Sequence, residues 1–186
     1  MSRGTIAFGI LLALTAAVWP AGAARADGGE IIAGVEAGGI FPRLFHPEIE
    51  PFDVHGGTAY GGHLGYGVSD QATLELGFLR AETTADVTNG ESIDIAFNEV
   101  LTTFAWAIST GTIRPQLLGG LSYQMIRVDD PADDEDAFGF HFGLGLVGVV
   151  TPFLHSAFIA RFHQYFPEEF DTDTAVTMLM RLEFHY

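Results

Sequence analysis

From Glu30 to the last residue the chain alternates apolar and small or polar residues at every second position. Successive side chains of a strand point to opposite faces, so this period of two predicts strands. Eight segments carry it: about Glu30 to Phe41, Thr58 to Val68, Ala72 to Arg80, Ile93 to Ile108, Ile113 to Ile126, Phe138 to Val149, Ser156 to Tyr165, and Ala175 to Tyr186. In the sixth, Phe138, Phe140, Phe142, Leu144 and Leu146 oppose Gly139, His141, Gly143 and Gly145. In the last, Met178, Met180, Leu182, Phe184 and Tyr186 oppose Leu179, Arg181, Glu183 and His185. The fourth changes phase, with Ile93, Ile95 and Phe97 in one and Val100, Phe104, Trp106 and Ile108 in the other. A bulge near Asn98-Glu99 is the expected remedy.

The connections alternate in length. Ser69-Asp70-Gln71, Ser109 to Thr112 and Thr151 to His155 are short, while Pro42 to Gly57, Glu82 to Ser92, Arg127 to Ala137 and Phe166 to Thr174 are long. An up-and-down meander with short turns at one end and long loops at the other follows. The bulky apolar face carries about five large residues per strand, whereas the interior of an eight-stranded barrel is only just wide enough for side chains. The bulky face is therefore expected outside, against lipid, where closure into a barrel also pairs every backbone group. The predicted fold is all-β, an eight-stranded antiparallel up-and-down transmembrane β-barrel.

The N-terminus stands apart. Arg3 precedes an apolar run from Ile6 to Trp19, and Ala24-Arg25-Ala26 gives an A-x-A cleavage pattern. Residues 1–26 read as a cleaved signal peptide and 27–186 as the barrel. The run is short for a span of ~20 residues, which disfavours a retained anchor.

Composition narrows the partners. All eight basic residues are Arg and the formal net charge is −16; cleavage would remove Arg3 and Arg25 and no acid, giving −18. Such a chain repels nucleic acid, because phosphate neutralisation needs a basic surface. With no Cys, disulfides and thiolate metal sites are excluded.

The segments IRPQLLGGLSYQ (Ile113 to Gln124), GFHFGLGLVGVV (Gly139 to Val150), IARFHQYF (Ile159 to Phe166) and MLMRLEFHY (Met178 to Tyr186) resemble strands of the small eight-stranded outer-membrane barrels of Gram-negative bacteria, the OmpA/OmpX-like group. The resemblance covers the whole predicted barrel. It implies location in the outer membrane, contact with outer-membrane lipid and lipopolysaccharide, and a terminal assembly signal read by the barrel insertion machinery. That signal would comprise Met178, Met180, Leu182, Phe184 and Tyr186. The sequence ends with the eighth strand, so the peptidoglycan-binding domain that some members carry, and with it wall anchoring, is not expected.

The inward face is the candidate site. Its phasing collects Glu36, Glu75, Arg114, Arg161, Arg181 and Glu183, three acids and three bases expected to form a stacked ion-pair network. This network would plug the barrel; the sharper version is a gate that switches partners to open a narrow pore. His63, His141 and His163 share the lumen and are expected as hydrogen-bonded imidazoles rather than metal ligands. Asp129, Asp130, Asp133, Asp134, Glu135 and Asp136 cluster in the third long loop without EF-hand spacing. They form an acidic rim, with weak calcium or magnesium bridging to lipopolysaccharide as the alternative. Glu48, Glu50 and Asp53, and Glu168, Glu169, Asp171 and Asp173, add acids to two other loops.

The expected role is structural, in envelope integrity, with surface ligand binding or minor permeability as extensions and without a cofactor or catalysis. One alternative is a lipid A-modifying enzyme, for which Ser122 with His141 is better placed than His155-Ser156. Another is a soluble periplasmic ligand-binding barrel, which would need a mostly apolar lumen.

Overall fold

In the computed structural model, which describes residues 29–45, 53–86, 92–128, 135–166 and 172–186, the alternating segments form nine strands and no helix. They are β1 (Ile31–Phe45), β2 (Asp53–Val54), β3 (Gly57–Ser69), β4 (Ala72–Asp86), β5 (Ser92–Ala107), β6 (Ile113–Val128), β7 (Glu135–Thr151), β8 (Leu154–Phe166) and β9 (Thr172–His185). Eight long strands pair antiparallel in chain order, and β1 pairs β9 to complete the ring. The two residues of β2 add to the end of β4. Residues 1–28 and the segments 46–52, 87–91, 129–134 and 167–171 lie outside the described residues, and with them the predicted signal peptide and most of the loop acids.

The end carrying both termini has the short turns. At one, Ser69 Oγ accepts hydrogen bonds from Gln71 N (3.4 Å) and Ala72 N (3.1 Å), pinning the reversal into β4. At the next, Ser109 Oγ donates to Ile113 O and Ile108 N donates to Pro115 O. The register shifts between Gly67 and Ser69 and between Val149 and Thr151 fall beside turns at this same end. The closing seam runs to the last residue: Ile31 N donates to Tyr186 O at 3.1 Å and Tyr186 N donates to Ile31 O at 2.9 Å.

The burial pattern is that of a soluble domain turned inside out. Leu144 is 63% exposed and Met180 60%, while Arg181 is 1% and His163 0%. Exposed apolar side chains such as Val35, Leu64, Phe104, Phe142 and Phe158 occupy one face on every wall of the barrel. An apolar surface of that extent needs a non-aqueous neighbour. The aromatic rings of Phe142 and Phe162, on adjacent strands, meet at 5.0 Å between centroids on this outer face.

Two sequence expectations are corrected. β5 has no bulge at Asn98-Glu99; it pairs in continuous register with both β4 and β6. Ile95, Phe97, Glu99 and Leu101 all point inward and are buried. The lumen is also less uniformly glycine-rich and charged than the sequence suggests. Toward the long-loop end Ile40, Leu79, Ile95, Phe97, Leu101 and Ile126, with several alanines, pack into an apolar core. A hydrophobic layer there needs no phase change in the strand, only inward apolar residues, so the bulge has no reason to exist.

Candidate functional site

The lumen face of β1 and β9 places Glu36 and Arg181 opposite one another in register. Arg181 Nη2 lies 2.8 Å from Glu36 Oε2, and its Nε donates to the same oxygen at 2.9 Å. Arg181 Nη1 donates to Glu75 Oε2 at 3.0 Å and to Glu183 Oε1 at 3.1 Å. Arg161, on β8, grips Glu36 from the other side with two parallel bonds, Nη1 to Oε1 at 3.0 Å and Nη2 to Oε2 at 3.2 Å. This fork-on-fork geometry is the strong form of an arginine–carboxylate pair. All five groups are buried, where a charge persists only if it is paired and hydrogen-bonded.

Of the six residues that the sequence collects, the structure joins Glu36, Glu75, Arg161, Arg181 and Glu183. Arg114 stands apart, a correction to the expected network. Its register row runs through Val147 and Ala157 before it reaches Arg181, so two strands and two apolar side chains intervene. Its Nε instead donates to Gly111 O at 2.9 Å, within the turn before β6.

A second polar layer lies beside the first. His163 Nδ1 is 3.1 Å from Glu99 Oε1, its Nε2 is 3.0 Å from Thr177 Oγ1, and Tyr165 donates its hydroxyl to Glu99 at 3.0 Å. His141 is the direct cross-strand partner of His163, and its Nε2 meets Thr103 Oγ1 at 3.0 Å. Glu99 escapes a sequence reading because the supposed bulge falls on it. Ser122 and His141 make no hydrogen bond to each other: Ser122 Oγ is buried without a partner, and His141 is engaged by Thr103. His155 is buried inward, while the adjacent Ser156 on the same strand is only half-buried.

His63 is separate from this layer. It lies across Gly34, where an added Cβ would run into the His63 ring, and its Nε2 is 3.5 Å from Glu183 Oε1. Glycine at position 34 is therefore a requirement of close approach rather than of backbone freedom.

At the short-turn end the lumen widens into a cavity of about 330 Å³ lined by Glu30, Arg114, His155, Glu183 and His185, among others. His185 is a functional candidate that the sequence reading passes over, although it shares strand parity with Arg181 and Glu183; His155, weighed there only beside Ser156, lines the same cavity.

Of the acidic-loop residues, Asp129, Asp130, Asp133 and Asp134 lie outside the described residues and Glu135 opens β7. Asp136 is held on the outer face, accepting from Tyr123 Oη at 2.9 Å and Arg127 Nη1 at 3.3 Å. The terminal residues Met178, Met180, Leu182, Phe184 and Tyr186 are all exposed on the outer face of β9 and beyond its end.

No protein-family model matches the chain, and no curated protein matches it. Solved structures do. Neisserial surface protein A is similar at TM-score 0.66 and 13% identity, over 85% of this chain and 97% of that one. The N-terminal β-barrel domain of Pseudomonas aeruginosa OprF is similar at TM-score 0.55 and 18% identity, over 86% and 99%. Ail, the attachment invasion locus protein of Yersinia pestis, solved with the heparin analogue sucrose octasulfate, is similar at TM-score 0.55 and 11% identity, over 86% and 99%. The chain has the fold of the small eight-stranded outer-membrane β-barrels.

Proposed function

We propose that the chain is an integral outer-membrane protein, exported by cleavage after residue 26, whose role is structural: a sealed barrel that contributes to envelope integrity. The observation that carries the reading is the radial inversion. Leu144 and Met180 point outward while Arg161, Arg181 and their carboxylates fill the centre. Lipid is the surrounding that makes such a surface favourable. The ion-paired plug and the apolar core above it make the lumen a closure rather than a pathway. No catalytic role is proposed; Ser122 Oγ is buried without a partner, and His141 Nε2 is engaged by Thr103.

The test is expression in a Gram-negative host, followed by outer-membrane fractionation, a heat-modifiability gel and planar-bilayer recording. Recovery in the outer membrane as a heat-modifiable species with negligible conductance is expected. Recovery of a soluble periplasmic species would overturn the location. Steady single-channel currents from the unaltered chain would favour the gated-pore reading instead.

A further inference from the structure

Glu183 occupies a junction in the lumen wall. Its cross-strand partners are Gly34 on β1 and His155 on β8, and His185 follows two residues later on β9, on the same face. Ligand atoms from His155, Glu183 and His185 all lie within 4.8 Å of one another. Donors bound to one tetrahedral ion at about 2.0–2.1 Å are separated by ~3.3 Å, so modest rotamer changes would close the set.

The surroundings are arranged as a second shell. Glu183 Oε1 is held by Arg181 at 3.1 Å, leaving Oε2 facing His185 Nε2 at 3.5 Å. On the far side of the same ring, Nδ1 is 3.1 Å from Glu30 Oε1. A ligating histidine commonly directs its other nitrogen at a carboxylate, which fixes the tautomer and raises ligand basicity. Neither His185 nitrogen reaches hydrogen-bond geometry with a partner, although the ring is nearly buried. The His155 and His185 rings lie 3.7 Å apart between centroids, so the two imidazoles share one spot in the lumen wall. Charge points the same way. Among the described residues, three buried carboxylates (Glu36, Glu75 and Glu183) share two buried guanidiniums, Arg161 and Arg181. A divalent cation would neutralise the excess. The cavity at the barrel mouth reaches all three ligands, giving the ion a route in and room for a water as fourth ligand.

We propose that His155, Glu183 and His185 form a binding site for a divalent transition-metal ion of the zinc class, entered from the end of the barrel that carries the termini. Two imidazoles and a carboxylate suit such an ion better than calcium or magnesium, which prefer all-oxygen shells. The ion would tie β8 to β9 next to the seam where β9 meets β1. A neighbouring trio, His63, Glu75 and Glu183, has similar proximity, but two of its three members are already engaged by Arg181. The site does not depend on the proposed outer-membrane location.

The experiment is calorimetric titration of zinc chloride into the folded barrel in detergent micelles, with cobalt absorption as a geometry readout and a heat-modifiability gel confirming that each variant is folded. One zinc per chain at micromolar affinity or better, a tetrahedral cobalt spectrum, and a higher temperature for loss of the folded band in zinc are expected. H155A and H185A should each weaken binding at least tenfold, whereas H63A should change it less than threefold. Absence of saturable zinc binding in the unaltered chain, or equal binding in folded H155A and H185A, would overturn the proposal. A loss confined to H63A would overturn it too, by placing the ion at the inner trio.

Discussion

Arg181 and Glu36 are direct cross-strand partners across the closing seam of the barrel, with Nη2 and Oε2 2.8 Å apart. The last strand is thus joined to the first by a buried ion pair as well as by its ladder of backbone bonds. Arg181 is also the only guanidinium among the described residues that bonds Glu75 and Glu183.

Removing Arg181 should therefore cost more than removing Arg161. Breaking a buried pair from one side costs about 3–5 kcal/mol because the partner charge is left uncompensated. Arg181→Ala strands Glu75 and Glu183, whereas Arg161→Ala leaves Glu36 its bonds to Arg181. In urea unfolding from lipid vesicles, Arg181→Ala should lose stability by roughly that amount and Arg161→Ala by less. The same variants should raise bilayer conductance. Unchanged unfolding and unchanged conductance in both would remove the plug from the account.

The outer face can be probed at Leu144, in the middle of β7 and 63% exposed. Arginine facing lipid at mid-bilayer costs ~2–4 kcal/mol. Leu144→Arg should accordingly impair insertion and lower the yield of the heat-modifiable form, while Leu144→Ile should behave like the parent. A soluble barrel would tolerate the arginine, so normal assembly of Leu144→Arg argues against lipid around this wall.

Phe97 tests the apolar core. It is 3% exposed and packs inward, contrary to the bulge expected from the sequence. Phe97→Ala opens a cavity that the surrounding wall cannot collapse into, at a cost of roughly 3–5 kcal/mol. Phe104, on the outer face of the same strand, should lose much less on truncation, because lipid chains take up the vacated space. Equal losses for the two would mean that the phase of β5 is wrong.

Gly34 should tolerate no side chain. A Cβ there meets the His63 ring and, at 2.9 Å, Leu182 O. Gly34→Ala should slow or block folding in detergent, and the double variant with His63→Ala should recover part of the loss. No recovery would place the difficulty in the backbone rather than in the ring.

Deletion of Tyr186 should reduce assembly in cells more than folding in detergent. Its backbone exchanges two hydrogen bonds with Ile31, and its ring extends beyond the barrel wall, 79% exposed. The resemblance assigns that aromatic to recognition during insertion. Pulse-labelling of the deleted chain should show periplasmic accumulation and proteolysis; normal insertion would count heavily against an assembly signal here.

Strand identity, antiparallel order and the outward face of seven of the eight long strands are legible from parity, because a period of two ties each residue to one face. The alternation of short and long connections likewise determines which end carries the termini. Parity alone misleads in β5: it treats an apolar residue as outward, and Ile95 and Phe97 are apolar residues packed in the lumen. It brings Arg114 into the same face as Arg181 but says nothing of the distance around the ring, which depends on the strands between them. Register is the other missing quantity. Only closure sets Glu36 against Arg181, because the β1–β9 register depends on strand stagger summed around the barrel; His141 against His163 and Glu183 against His155 are set by the register of single hairpins. The sequence by itself determined which residues enter the lumen on most strands; the tertiary structure decided which of them meet, because side chains far apart in the chain interact only where closure brings their rows together.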